Sequence, residues 1–308
     1  MVEKVIIIGS GPAGLSAAIY TAREGFEPLV IGGYVGGGQL MLTTKVENIP
    51  GFPDGVDGPE YVQLLRKQAE KFGARMIDKD VTSVDLKAKP IRVVVEDNTY
   101  EADSVIIATG ANARQLGIES EKKFIGKGVS TCATCDAPFY KGKAVIVVGG
   151  GDTAMEDSLF LTRFARSVTI VHRRDSFRAS KAMQDKVLAN EKIKVIWDST
   201  VDEIKGDSAV RSAVLKNEKD GSTTEIPTDG VFVAIGHEPN TKLFDGQLGL
   251  DEFRYIVTHD EVKTDIEGVY VAGDVADRIY RQAGTASGSG IKAALAVRSY
   301  ISEHGGRK

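Results

Sequence analysis

The chain has 308 residues, 42% of them hydrophobic and 27% charged, enough to bury two cores and ordinary for a soluble globular protein. Its 39 Lys and Arg against 43 Asp and Glu give a net charge of -4, so no global field directs it to nucleic acid or to an anionic membrane. The apolar run at residues 5–8 is too short for the core of an export signal, and no stretch reaches membrane-spanning length, so the expected location is the cytoplasm.

Val5, Ile6, Ile7 and Ile8 form a continuous apolar run closed by glycine, the pattern of a strand buried on both faces of a parallel sheet. The run feeds Gly9-Ser10-Gly11-Pro12-Ala13-Gly14, a helical stretch over residues 15–24 and a second apolar run over 28–31. This is the strand, glycine turn, helix, strand order of a dinucleotide site, in which the first two glycines let backbone approach a pyrophosphate at the helix N-terminus. Gly32 and Gly33 stand where an acid would hold a ribose, so a nicotinamide nucleotide is not the obvious occupant. Residues 36–52 are rich in glycine, carry Gln39 and Asn48, and lack helical periodicity, which points to a loop lying against a ligand. An amphipathic helix is expected over 61–72, with strands near 81–84, 91–95 and 104–108.

After Gly110 the apolar periodicity fades, and a domain boundary is expected near residues 114–117. Next come the only two cysteines, Cys132 and Cys135, followed by Asp136. The spacing lets both thiols lie on one turn, so a disulfide can open and close with little backbone movement. Zinc would need four ligands, and the four histidines have no spacing that supplies the missing half, so no metal is expected. A purely structural role is disfavoured because so short a loop removes little chain entropy.

The opening pattern then recurs: an apolar run over 144–148, Gly149-Gly150-Gly151-Asp152-Thr153-Ala154, a helix over 155–164 and a strand over 168–171. This internal repeat implies two nucleotides. The second strand runs into His172, Arg173 and Arg174, with Arg178 close behind, where an arginine fork would take a 2′-phosphate, so NADPH is preferred over NADH. A strand over 230–236 closes the second unit, and a last strand over 269–274 ends in an exposed acid, Asp274. Arg281, Gln282 and Ala283 open a long helix of small residues reaching about residue 300.

The order of these motifs, with Cys132-Ala133-Thr134-Cys135-Asp136 just before the second fingerprint, then His172-Arg173-Arg174, Gly273-Asp274 and Tyr280-Arg281-Gln282-Ala283, resembles the low-molecular-weight thioredoxin reductases over essentially the whole chain. The resemblance implies an α/β fold of two Rossmann-like three-layer dinucleotide-binding domains, the NADPH domain inserted into the FAD domain. Residues 1–115 and 246–308 would bind FAD, and residues 116–245 would bind NADPH and carry the redox disulfide. It implies Gly9, Gly11, Pro12, Ala13 and Gly14 at the FAD pyrophosphate, with Gly32, Gly33, Gly38, Gln39, Asn48 and Val81 along the flavin nucleotide. Gly273 and Asp274 would meet a ribityl or ribose hydroxyl, and Arg281, Gln282 and Ala283 the flavin ring. NADPH would take Gly149, Gly151, Asp152, Thr153, Ala154, His172, Arg173, Arg174 and Arg178.

In the reaction so implied, a hydride passes from NADPH to FAD, two electrons pass to the Cys132–Cys135 disulfide, and the dithiol reduces oxidised thioredoxin. Cys135 would lie nearer the flavin, Cys132 would attack the protein substrate and Asp136 would handle its proton; a homodimer is the typical assembly. Ala137-Pro138-Phe139 and Lys127 depart from the usual pattern and bear on partner choice. Because the cysteines and the NADPH site share one segment and must both reach one flavin, a rotation on hinges near residues 114–117 and 240–244 is expected. A reductase of another protein disulfide, a ferredoxin- or flavin-linked reductase of the same fold, and a nucleotide-sensing regulator are the competing readings.

Overall fold

A computed structural model of the chain describes residues 2–43 and 45–304. The chain divides into two units, Met1–Asn112 with Glu238–Lys308, and Ala113–His237. The crossings thus fall at 112/113 and 237/238; the domain bounds implied by the resemblance are 115/116 and 245/246.

In the first unit the opening strand, Val2–Ile8, is fully buried from Val5 onward. It runs parallel to Leu29–Ile31 on one side and to Asn98–Ile107 on the other, with Ile6 opposite both Leu29 and Val105. Each such side chain contributes about 2 kcal/mol by leaving water, which is why a run without polar alternation settles at the sheet centre. Arg75–Ile77 extends the sheet beyond Leu29–Ile31. Beyond its pairing with Val2–Ile8, the strand Asn98–Ile107 serves two further partners: its second half pairs in parallel with Val269–Val271, and its first half carries the antiparallel hairpin of Ile91–Val95 and Val81–Asp85. Helices Pro12–Arg23 and Ala283–His304 cover one face through Ala17, Ala18, Ala293, Ala294 and Val297. Their approach depends on Gly290, where an added Cβ would lie 2.1 Å from the Ala13 carbonyl oxygen. Leu86, Ile91, Val93 and Phe244 pack the opposite face, giving three layers.

The second unit repeats the plan. Its parallel sheet runs Val129–Ser130, Gly230–Val233, Ala144–Val148, Ser167–Val171, Ile193–Ile196 in spatial order. Helix Asp152–Leu161 and its neighbours cover one face, where Met155 and Leu161 are fully buried. The other face is covered by an antiparallel sheet of Ser199–Gly206, Val210–Asn217 and Thr223–Pro227.

Several expectations shift in detail. Both fingerprint helices start three residues earlier than the apolar periodicity suggests, at Pro12 and Asp152, because the last residues of each glycine turn already form the first helical turn. The strand expected over 269–274 stops at Val271, and Asp274 follows in a short 3-10 turn, Gly273–Val275, half-buried rather than exposed and with its Oδ1 enclosed. The last helix continues to His304, the end of the described residues. Between 178 and 230 the sequence reading assigns no element, yet helix Lys181–Leu188, strand Ile193–Ile196 and the antiparallel sheet all lie there. That sheet alternates buried and exposed positions with bulges that interrupt the period of two, so its signal is weak.

Candidate active site

The first glycine turn is shaped by backbone collisions that side chains would cause. A Cβ at Gly9, whose φ is +115°, would lie 2.2 Å from the Ala108 carbonyl oxygen, and one at Gly14 would lie 2.0 Å from the Gly9 oxygen. At Gly11, by contrast, the nearest atoms to such a Cβ belong to the backbone of Gly37 and Gly38, at 3.9 and 4.0 Å. Gly11 therefore faces a bare backbone cradle at the start of Pro12–Arg23, where amides and helix dipole favour a phosphate. Ser10, for which the fingerprint itself specifies no role, ties this cradle together. Its hydroxyl accepts from the Gly37 amide at 3.0 Å and donates to the Gly32 carbonyl at 3.2 Å.

The same unit brings together residues from distant parts of the chain. Asn48 donates to the Gln282 side-chain oxygen at 3.0 Å across 234 residues, and Gln39 donates to Asn112 at 2.9 Å. Gly32, Gly33 and Gly38 lie on the loop around Ser10, and Val81 is the half-buried first residue of the hairpin strand that follows Asp80, whose carboxylate accepts from the Tyr34 amide. Gly273 packs its backbone on Ala13, placing Asp274 beside the first fingerprint.

Asp274 carries the strongest sign of a ligand. Its Oδ1 is buried and has no hydrogen-bond partner among the described residues. Burial first, and the negative charge of Asp277 second, push its carboxyl up to about 6 from an ordinary 3.8, with Arg281 opposing. A buried carboxylate oxygen without a donor is costly, and a ligand hydroxyl would satisfy it. The glycine cradle and this oxygen fit the ribose or ribityl hydroxyls and pyrophosphate of a flavin dinucleotide.

The shift also sets a pH dependence. A carboxyl raised in the folded state stabilises the fold below its ordinary value and loses that contribution as pH rises through the folded one. Flavin-free protein is therefore expected to lose on the order of 3 kcal/mol between pH 4 and pH 6 from this group alone. Denaturant melts of wild type and Asp274→Asn across that window check it, the variant showing a flatter profile.

In the second unit Cys132 and Cys135 are joined in a disulfide, their Cα atoms 5.3 Å apart. Cys132 caps the short helix Ala133–Asp136, and its amide donates to the Ser130 hydroxyl at 3.0 Å. Ala133 and Ala137 are fully buried in the core that holds Ala154 and Met155, so the disulfide rides on the helix of the second fingerprint. Asp136 ends the same short helix; burial pushes its carboxyl up, and a hydrogen bond from Ser130 pulls it partly back. A carboxyl that keeps its proton to higher pH sits one residue from a sulfur that must gain and lose one.

The second glycine turn repeats the first, with the Gly149 amide bonded to the Val171 carbonyl as Gly9 is to Ile31. Nothing lies within 4 Å of a Cβ at Gly151, again an open cradle, while Thr153 and Ala154 form the first turn of the helix. His172 is buried against Gly150, its Nε2 bonded to the Ser176 carbonyl at 3.0 Å. Burial foremost, then the charges of Arg178, Arg174 and Arg173, hold it below the usual imidazole range, with the bond to the Ser176 carbonyl opposing. Asp152 accepts at one carboxylate oxygen from the Ser180 amide and hydroxyl at 2.9 and 2.8 Å, which ties the start of its helix to the segment after the arginines. Arg173, Arg174 and Arg178 are exposed and form no ion pair among the described residues, as a phosphate site requires. Among the described residues no three His, Cys, Asp or Glu side chains lie close enough to hold a metal.

Sequence reasoning missed Ser10, Ser130 and Asp277. Ser10 had a signal in its position inside the fingerprint; the other two act on backbone amides nearby and carry no pattern of their own.

The comparisons agree with this geometry. Residues 3–290 match the model of the pyridine nucleotide-disulphide oxidoreductases. A thioredoxin reductase of Rickettsia felis is 52% identical over 97% of this chain and 98% of its own. The solved thioredoxin reductase of Giardia duodenalis superposes with a TM-score of 0.93 at 44% identity, covering 97% of this chain and 98% of that one. That of Streptococcus pyogenes gives 0.93 at 40% identity over the same shares. With its two glycine turns and its single cysteine pair, the chain belongs to the pyridine nucleotide-disulphide oxidoreductase family and, within it, to the low-molecular-weight thioredoxin reductases.

Proposed function

We propose that the protein is an NADPH-dependent thioredoxin-disulfide reductase, with FAD held by the first unit and NADPH by the second. The family implies flavin and nicotinamide cofactors; the finer assignment is supported by the orphaned Asp274 oxygen and by the three free-standing arginines. The observation that carries the reading is the bonded Cys132–Cys135 pair, seated with Asp136 on the helix of a dinucleotide turn. Thioredoxin as substrate, a homodimer and a cytoplasmic location complete the reading, the last supported by a lone pair of redox-active cysteines.

FAD, when bound, would carry two electrons from NADPH to the disulfide. The chain's own residues do the rest. The Gly11 and Gly151 cradles hold pyrophosphates, Arg173, Arg174 and Arg178 take the 2′-phosphate, and the enclosed Oδ1 of Asp274 orients a hydroxyl. Once the disulfide is open, the Cys132 thiolate attacks a sulfur of the partner's disulfide, expelling a thiolate and forming a mixed disulfide. Cys135 then attacks Cys132, re-forming the internal bond and releasing the second thiolate. Asp136, with its raised carboxyl, accepts the proton as a thiol ionises and returns it to a leaving thiolate.

Rotation between half-reactions belongs to the same reading. Two anchors bracket the crossings. Asn240 is bound to Thr109 by two bonds of 2.9 and 2.8 Å and to the Gly110 carbonyl at 3.0 Å. In the second unit, the fully buried Glu121 accepts from the Leu116 and Gly117 amides at 3.0 and 3.1 Å. The pivot we propose is therefore at 112–113 and 237–238, between the anchors. A crosslink locking the two units is expected to stop turnover while one half-reaction persists; undiminished turnover would remove rotation from the mechanism.

The whole reading is tested by anaerobic addition of NADPH to the yellow protein, followed by turnover with thioredoxin. Rapid bleaching with thioredoxin-dependent turnover supports it. Flavin that NADPH cannot reduce would strike the donor, and turnover absent only with thioredoxin would strike the substrate.

A further inference from the structure

The loop between Asp274 and the last helix is held in an unusual way. Ile279 and Tyr280 are 71% and 66% exposed, so their burial cannot hold the segment. Arg281 has a φ of +48°, a left-handed conformation that a non-glycine residue adopts at a cost of about 1 kcal/mol or more. Beyond it, Gln282 lies at the start of Ala283–His304, where its carbonyl accepts from the Ala286 amide and the Thr285 hydroxyl. Something must fix residues 278–281 for Gln282 and Ala283 to keep one place.

Asp277 does so. One carboxylate oxygen accepts from the amides of Ile279 and Tyr280, each at 2.9 Å, and the other from the Arg281 amide at 3.4 Å. Its own amide is bonded to the Gly273 carbonyl at 3.1 Å, so the carboxylate stands on the turn that carries Asp274. From this loop the chain reaches Asn48 through the Gln282 side chain, which also donates to the Tyr280 carbonyl at 3.1 Å. Arg278 adds two further holds, an ion pair with Asp251 at 3.6 Å and a place over the ring of the exposed Phe253, both of them surface contacts of small energy.

We propose that Asp277 is a positioning residue of the flavin site, its carboxylate fixing the backbone of residues 279–281 and through it the placement of Gln282 and Ala283. The role rests on the flavin reading above. Asp277 touches no reacting atom in this scheme; it acts by converting three loop amides into one rigid turn, and by setting its own charge near Asp274.

The test uses full-length holoprotein, with amide hydrogen exchange, flavin affinity and the visible flavin spectrum as readouts. Asp277→Ala is expected to speed exchange at Ile279, Tyr280 and Arg281 about 10-fold or more, to weaken FAD binding about 10-fold, and to shift the flavin bands. Asp277→Asn, which keeps one acceptor oxygen, covers the case in which the alanine variant does not fold. It should protect Ile279 and Tyr280, expose the Arg281 amide, and stay within about 3-fold of wild type in FAD affinity. Unchanged exchange at all three amides in both variants would overturn the proposal, as would faster exchange with unaltered flavin affinity and spectrum. Wild-type protein that takes up no flavin would remove the flavin reading, and the positioning role with it, even if loop exchange behaves as described.

Discussion

Cys135→Ser is expected to lower NADPH-driven reduction of thioredoxin by at least about 1,000-fold, while leaving flavin content and NADPH-driven reduction of a small dye within about 2-fold of wild type. The reason is chemical: both cysteines of the chain are committed to one disulfide, so a serine leaves no second sulfur for exchange. The packing should survive, because the short helix is seated by Ala133 and Ala137 rather than by the sulfur itself. Thiol titration supplies an independent check. Wild-type protein should show no free thiol as purified and two after NADPH, the variant one in both states. Dye reduction lost together with thioredoxin reduction would place the damage at the nucleotide sites; thioredoxin turnover retained would move the protein to the flavin-linked reductases.

The second large effect is expected at the arginines. Each of Arg173→Gln, Arg174→Gln and Arg178→Gln removes one exposed guanidinium that has no carboxylate partner among the described residues. A charge-assisted bond to phosphate is worth about 1.5–3 kcal/mol, so a single substitution at a contacting arginine should raise the KM for NADPH about 10-fold or more, and a pair about 100-fold. NADH, lacking the 2′-phosphate, should change less than about 3-fold, so the preference collapses rather than the activity. Stability should hold, since none of these side chains is buried. Steady-state kinetics with both nucleotides decides the matter; equal losses with NADPH and NADH would show that the basic strip supports the fold instead. His172 is not an equivalent target, because its ring fills the space over Gly150 and its loss would open the core beside Phe177 and Trp197.

Some of this was plain in the chain itself. The run Val5 to Ile8 and its repeat at 144–148 could only be buried parallel strands, and each glycine turn sits at the end of one because the backbone clashes at Gly9, Gly14 and Gly149 tolerate no or only the smallest side chain. The cysteine pair was legible for the same reason: three residues of spacing on one turn is a local geometry. The antiparallel sheet over residues 199–227 was not, since its alternation is broken by bulges and its outer face is polar.

By itself, then, the sequence determined what is local: two dinucleotide turns, their order along the chain, the disulfide, and the arginines after the second turn. Only the tertiary structure decided that Asn48 meets Gln282 across 234 residues, that the Oδ1 of Asp274 is enclosed instead of exposed, and that Ser10 and Asp277 fix the loops that line the first site. Those features arise from packing between segments far apart in the chain, and from side chains bonded to backbone amides, neither of which leaves a period or a spacing to be read.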